Sequence, residues 1–233
     1  DCLIHAEKIC IAAGPFAPDL ASMLGVELPI ENVFQQKITF EDRLGAIPRQ
    51  MPFAIDLDEL QLDWDAEERA LLTGDRDMAW LTKTMPGGIH CRPDGGSWVR
   101  LGWAFNVSAS EPVWEPDLNP QYPEIVLRAA SRLNPALKAY YGHFPRNMVH
   151  YGGYYTMTKE NWPLIGPLGV DGAYVVGALS GFGTMVACGA GELCASWMNN
   201  QTLPEYARDL SPLRYENTGL INNLQAATDR GIL

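Results

Sequence analysis

Basic residues are scarce in this chain of 233 residues: Lys and Arg number 17 against 28 Asp and Glu, for a formal net charge of −11. No basic stretch interrupts that deficit, so nucleic acid and an anionic membrane surface would both be repelled and are set aside as partners. Cysteine is sparse as well. Cys2, Cys10, Cys91, Cys188 and Cys194 are odd in number, none stands in a CxxC pair, and the four histidines are scattered. Neither a disulfide framework nor a zinc site can be read from them, so no metal is expected and a reducing, cytoplasmic compartment is. No apolar run reaches the ~18 residues that would suggest a membrane span, and no signal peptide opens the chain. The first residue is Asp1 and not Met, and a strand-like run follows almost at once, so an upstream segment is expected to be missing or removed.

What is present is enough for a sizeable core: hydrophobic residues make up 47% and charged residues 19%. The run Lys8–Gly14 reads as a buried strand that stops where the backbone comes close to something. Ala17–Leu24 reads as a short helix stopped by Gly25. Strand character follows at Val33–Phe40, Phe53–Leu57, Gly87–Arg92 and Trp98–Phe105, with turns at Pro86-Gly87-Gly88 and Pro93-Asp94-Gly95-Gly96. From Asp56 to Glu68 there are seven acidic residues and no basic one. That run is either a solvated loop leading into a short helix or a docking patch for a basic partner. Tyr122–Tyr140 is helical, with Ile125, Val126, Ala129, Ala130 and Leu133 on one face and a restart at Asn134-Pro135. Asn147–Tyr155 reads as a strand, Trp162–Pro167 as a turn and Ala173–Val176 as a buried strand. Thr184–Met198 reads as a long helix.

The densest signal is the elbow between the last two, Gly177-Ala178-Leu179-Ser180-Gly181-Phe182-Gly183-Thr184. Glycines let a backbone approach a ligand, and a helix start offers unpaired N–H groups and partial positive charge. Phosphate, a carboxylate, or a ring that becomes anionic on reduction would suit it. A phosphate-gripping GxxxxGK[ST] loop is excluded, because Met185 and Val186 follow Thr184 and no Lys is present. The glycines could also serve only tight strand–helix packing.

Three stretches in order resemble the D-amino-acid oxidase family of flavoproteins, which includes sarcosine oxidase and glycine oxidase. Ile11-Ala12-Ala13-Gly14-Pro15-Phe16-Ala17, with the trailing Leu28-Pro29-Ile30, is similar to the family's AAG-x-[WF] strand and LP return. Thr158-Lys159-Glu160 followed by Pro163, Ile165 and Gly166 is similar to its T-x-D-x-x-P-x-IG loop, with Glu160 in the Asp position. Ser180-Gly181-Phe182-Gly183, with Gly189–Glu192 beyond, matches its SG-H-G and G-x-GE. The resemblance implies an α/β fold, the C-terminal part of a two-domain FAD-binding (glutathione-reductase-like) architecture with a β-sheet-based substrate domain. Residues 1–34 and 151–233 would complete the FAD-binding domain, and 35–150 would form the substrate domain. The family's GxGxxG fingerprint is absent, so a missing N-terminal segment or a second polypeptide is expected to supply it.

The resemblance also implies roles. Ala12, Ala13, Gly14 and Phe16 would line the dinucleotide, and Gly181, Phe182, Gly183, Thr184 and Met185 would pass beneath the isoalloxazine. The activity implied is FAD-dependent oxidation of an amine or amino acid to an imine by hydride transfer. A degenerate, non-catalytic flavoprotein subunit acting through a partner chain is the rival. Gly153 stands where sarcosine oxidases carry the cysteine that bonds flavin, so FAD is expected to be held non-covalently. Arg100 stands where they carry a lysine that activates oxygen, which puts oxygen reactivity in question and makes a dehydrogenase plausible. Tyr155 stands where glycine oxidase-like relatives bind a carboxylate with Arg. Arg100 and Tyr155 are the candidate catalytic residues, and Tyr155, Trp103 and Trp162 the candidate substrate contacts. Tyr155 or the two tryptophans could equally be packing residues, and Arg100 a surface-paired strand residue. His90 and His143 read as structural.

Overall fold

The computed structural model describes residues 3–227. In chain order its elements are β1 (Ile9–Ile11), α1 (Ala17–Ser22), β2 (Glu31–Glu41), β3 (Ala54–Asp56), α2 (Ala66–Gly74), β4 (Ile89–Pro93), β5 (Trp98–Gly102), α3 (Tyr122–Ala130), β6 (Val149–Met157), β7 (Leu164–Pro167), β8 (Ala173–Gly177), α4 (Gly183–Met198) and α5 (Thr218–Ala227), with 3-10 turns among them. Two compact units emerge. The first comprises Asp1–Phe34, Ser108–Trp114 and Tyr154–Leu233, the second Gln35–Val107 and Glu115–Gly153. The stretch 108–114 was expected in the substrate domain and belongs to the first unit. Its ties explain why: Ala109 bridges Val33, Ser110 N–H donates to Asn32 O, Val113 N–H donates to the Tyr154 hydroxyl, and Trp114 stacks on Phe16.

The first unit holds a sheet in the order β1-β8-β7, with β1 parallel to β8 and β7 antiparallel to it. Side chains alternate across it. Ile11, Leu164 and Val175 join Ala17 and Ala21 of α1 on one side, while Ile165 joins Ala190, Leu193 and Cys194 of α4 on the other. At the entry to β8, Gly172 has φ +73° and a Cβ there would lie 2.5 Å from Glu7 O, so only glycine fits. The segment read as a turn at Trp162–Pro167 is instead largely strand β7. An edge position tolerates the Pro167 that made it look like a turn, because a free edge needs no N–H there.

In the second unit lies most of a sheet ordered β3-β4-β5-β2-β6, and the chain crosses between units along β2 and β6. One face of this sheet carries Ile38, Phe40, Cys91, Val99 and Leu101, which pack in one cluster with Ile125, Val126 and Ala129 of α3. Each such buried aliphatic side chain contributes ~1.5–3 kcal/mol relative to exposure. α3 is buried nearly all round, including Arg128, which the one-face reading left outside. Arg128 is tolerated there because it donates to Glu124 at 2.7 Å and Glu68 at 2.5 Å, with its guanidinium 4.0 Å from the Trp64 ring centroid.

Those contacts resolve the acidic run. Arg132 pairs with Asp56 at 2.7 Å, Lys138 with Asp63 at 2.5 Å, and Arg128 with Glu68. Asp65 and Glu68 form a reciprocal capping box at the start of α2. The basic partner of the acidic run is therefore this chain's own α3 and the turn after it.

Candidate flavin cradle and substrate face

The cradle is built at the end of β8. Leaving the strand, the backbone takes left-handed conformations at Ala178 (φ +53°) and Ser180 (φ +52°), two non-glycine residues. Such conformations cost on the order of 1 kcal/mol or more each and persist only where surrounding contacts enforce them. Here the enforcement is visible. Ser180 N–H donates to Thr156 O at 3.0 Å, and the Ser180 hydroxyl donates to the side-chain oxygen of Asn161, itself left-handed at φ +56°. The left-handed residues of this bend are not its glycines.

The glycines serve something else. A Cβ at Gly183 would meet only Leu179, at an ordinary 3.9 Å, and a Cβ at Gly189 would meet nothing within 4 Å. Internal packing thus does not require glycine at either place. Phe182 caps α4 without a side-chain bond, and the N–H groups of Gly181, Gly183 and Thr184 donate to nothing among the described residues. Open amides beside a surface without Cβ atoms fit the edge of a flat ring that gains negative charge on reduction, so the residues present fit a flavin. Thr184 and Met185 are exposed on the first turn of α4. In the AAG segment Gly14 has φ +55°, Ala12 is exposed, Ala13 half-buried, and Phe16 stacks on Trp114 at 4.5 Å.

Behind the elbow sits a buried ionic lock that the sequence did not reveal. Glu160 and Arg214 are both about 1% exposed and paired. Arg214 Nε donates to Glu160 at 2.8 Å and the Tyr215 hydroxyl donates to it at 2.7 Å. Burial pushes the Glu160 carboxyl up, but the donors from Tyr215 and Arg214 outweigh it and hold it below its ordinary value. Arg214 also binds Trp162 O at 3.0 Å, while Thr158 brackets the Trp162 backbone with bonds of 2.7 and 3.0 Å. The loop carrying Asn161 is thereby fixed from behind, and Asn161 in turn holds Ser180.

The remaining candidates divide between the units. Tyr155, on β6 in the first unit, is half-buried and joins no apolar cluster, and its phenol meets no partner among the described residues. Burial raises its pKa, so the phenol stays protonated and able to donate. Trp162 is half-buried beside it in sequence. Gly153 is exposed and carries no nucleophile. Trp103 lies elsewhere. It is 1% exposed in the core of the second unit, its indole N–H aimed at the carbonyls of Pro86 and Gly87 at 3.2 Å. It packs there against Phe105, with ring centroids 4.9 Å apart. Arg100, at the middle of β5, binds Asp94 at 2.6 Å and keeps a buried Nε without an acceptor. His90 is buried, with Nδ1 3.1 Å from Gly88 O, and burial lowers its pKa to about 4. Among the described residues no cluster of His, Cys, Asp or Glu could hold a metal, and no helix is long and apolar enough to cross a membrane.

The fold has solved counterparts. Glycine oxidase from Geobacillus kaustophilus superposes with TM-score 0.60 at 15% identity, covering 88% of this chain and 45% of that one. L-proline dehydrogenase from P. horikoshii gives 0.57 at 18%, covering 90% and 47%, and iminodiacetate oxidase from Chelativorans sp. BNC1 gives 0.56 at 17%, covering 90% and 47%. The chain thus spans about half the length of these structures, and at such identities they show the fold alone. No curated protein sequence matches it. The family described as FAD dependent oxidoreductase matches residues 3–197, most of the chain, and the chain belongs to the FAD-dependent oxidoreductase family.

Proposed function

We propose that this chain carries the flavin-ring cradle and the substrate face of an enzyme that oxidises an amine or amino acid to an imine. The observation that carries the reading is the elbow: three open amides at the start of α4, glycines that packing does not demand, and a bend held in left-handed geometry from behind. FAD, when bound, supplies the two-electron acceptor that takes the hydride from the carbon bearing the amine. The amides of Gly181, Gly183 and Thr184 stabilise the charge that results. On the first unit, Tyr155 offers a protonated phenol to a substrate carboxylate and Trp162 is the aromatic beside it in the proposal; on the second, Arg100 offers a guanidinium fork. Gly153 leaves FAD non-covalently held.

A completing segment carrying GxGxxG belongs to the same proposal, supported by two features of the first unit. β1 is an edge strand whose Ile9 is 53% exposed, and α4 exposes Met185 and Val186. An unpaired edge beside apolar surface is a place where further chain docks. The same features favour the second reading, a flavoprotein subunit that works only through a partner.

The test is to isolate the protein from its native source, so that any completing segment travels with it, and to record its visible spectrum. Oxidised-flavin bands, released wholly to the supernatant on acid precipitation and bleached anaerobically by an amine or amino acid, are expected. Gly183→Val should lose the flavin with the circular dichroism unchanged. A colourless protein sinks the proposal, and a coloured one that no amine bleaches favours the subunit reading.

A further inference from the structure

The sheet face of the second unit opposite its core carries an imbalance of charge. Strand register sets Lys37, Gly102 and His90 in one row and Thr39, Arg100 and Arg92 in the next, alternating with the core row Ile38, Leu101 and Cys91. Three cations therefore share one face. Their one carboxylate is Asp94, 2.6 Å from Arg100 and 3.9 Å from Arg92. Glu41, further along β2, is spent on Arg43, Ser97 and Asn147. Among the described residues the half-buried Lys37 ammonium has no carboxylate within 4.0 Å, and Arg100 keeps its buried Nε without an acceptor. Burial, then Arg100 and Arg92, pull the Lys37 pKa down. The His90 ring fills the space over Gly102, where a Cβ would lie 2.4 Å from Nε2, so the middle of the face is a neutral imidazole floor.

Like charges gathered in partly desolvated ground oppose folding unless an anion offsets them. One carboxylate against three cations leaves a surplus of two charges. A single α-carboxylate would answer half of it. We propose that Lys37, Arg92 and Arg100 form an anion site that takes a dicarboxylate, and the site stands on this face of the second unit alone. The forked guanidinium groups of the cross-strand neighbours Arg92 and Arg100 suit planar carboxylates, and Lys37 adds a point charge from β2, on the other side of β5.

The test needs no flavin chemistry. Malonate, acetate and inorganic phosphate are titrated into the full chain, as isolated, by calorimetry. Malonate should bind about tenfold or more tightly than either rival, with Lys37→Met and Arg92→Met each removing that preference. Lys37→Arg should keep it. Asp94→Asn, which deletes the competing carboxylate, should strengthen malonate binding. Equal affinity for acetate and malonate, a preference for phosphate, or an unchanged preference in Lys37→Met with Asp94→Asn neutral would each overturn the proposal.

Discussion

The two units handle charge and apolar surface in opposite ways. The second gathers its apolar side chains into one continuous cluster and keeps most of its ion pairs at the surface, where α3 and the following turn answer the acidic run. The first divides its apolar residues between two smaller clusters and buries an ion pair completely. A unit with a single closed core specifies itself. A unit that spends a buried salt bridge on one loop needs that loop in one place, and here the loop holds the cradle through Asn161. Buried ion pairs seldom add net stability over apolar substitutes, so position is the better account of this one.

The sharpest way to break that comparison is to remove the buried cation. Arg214→Met strands the Glu160 carboxylate inside the first unit, at a cost of about 3–5 kcal/mol. Urea unfolding followed by tryptophan fluorescence reads it. Restoring neutrality with Glu160→Gln in the same chain should recover much of the loss, and flavin affinity should stay low in both variants because Asn161 is no longer fixed. A loss under about 1 kcal/mol for Arg214→Met would put this pair on the same footing as the surface ones.

The second unit has a buried titratable group of its own in His90. Burial holds its pKa at about 4 against 6.5 when exposed, with Lys37 and Arg92 pushing the same way. The unfolded chain therefore takes up a proton that the folded one refuses. Stability is unaffected above about pH 6.5, falls as pH drops from there to about 4, and levels off below. The full effect is roughly 3 kcal/mol at ~1.4 kcal/mol per pH unit. Carboxylates also titrate in this window, so the measurement is the difference between wild type and His90→Asn in urea unfolding at pH 7, 5.5 and 4. Parallel curves would show that His90 is charged in the fold.

How much of this was legible follows from how far apart the participants lie in the chain. The elbow, the AAG segment and α4 were legible because glycine placement and apolar runs are local signals. The lock was not, since Glu160 and Arg214 are 54 residues apart and a lone Arg reads as surface. Glu160 was noticed only by its place in a motif. The acidic run was seen, but its partners Arg128, Arg132 and Lys138 lie on a helix and turn far along the chain, so solvent and a foreign partner were the alternatives in view. Trp103 kept two readings, because an indole that packs and one that binds look alike in sequence. Lys37 and Arg92 were passed over because only strand register brings them beside Arg100.

The smallest expected effect completes the contrast. Arg132 pairs with Asp56 at 2.7 Å and reaches Asp58 at 3.7 Å, and its side chain is 44% exposed. Water screens both attractions, and holding a long side chain in one geometry costs rotamer entropy that offsets part of the gain. Arg132→Ala should therefore cost less than about 1 kcal/mol, and the cost should shrink further in high salt. Asp58 is left in water, and Asp56 keeps the Asp58 N–H donor at 3.0 Å, which is why removing a cation here differs from removing Arg214. Urea unfolding at low and high salt measures both. A loss as large as that of Arg214→Met, or one that salt does not touch, would mean that the acidic run is held by desolvated charge and that the two units are built alike.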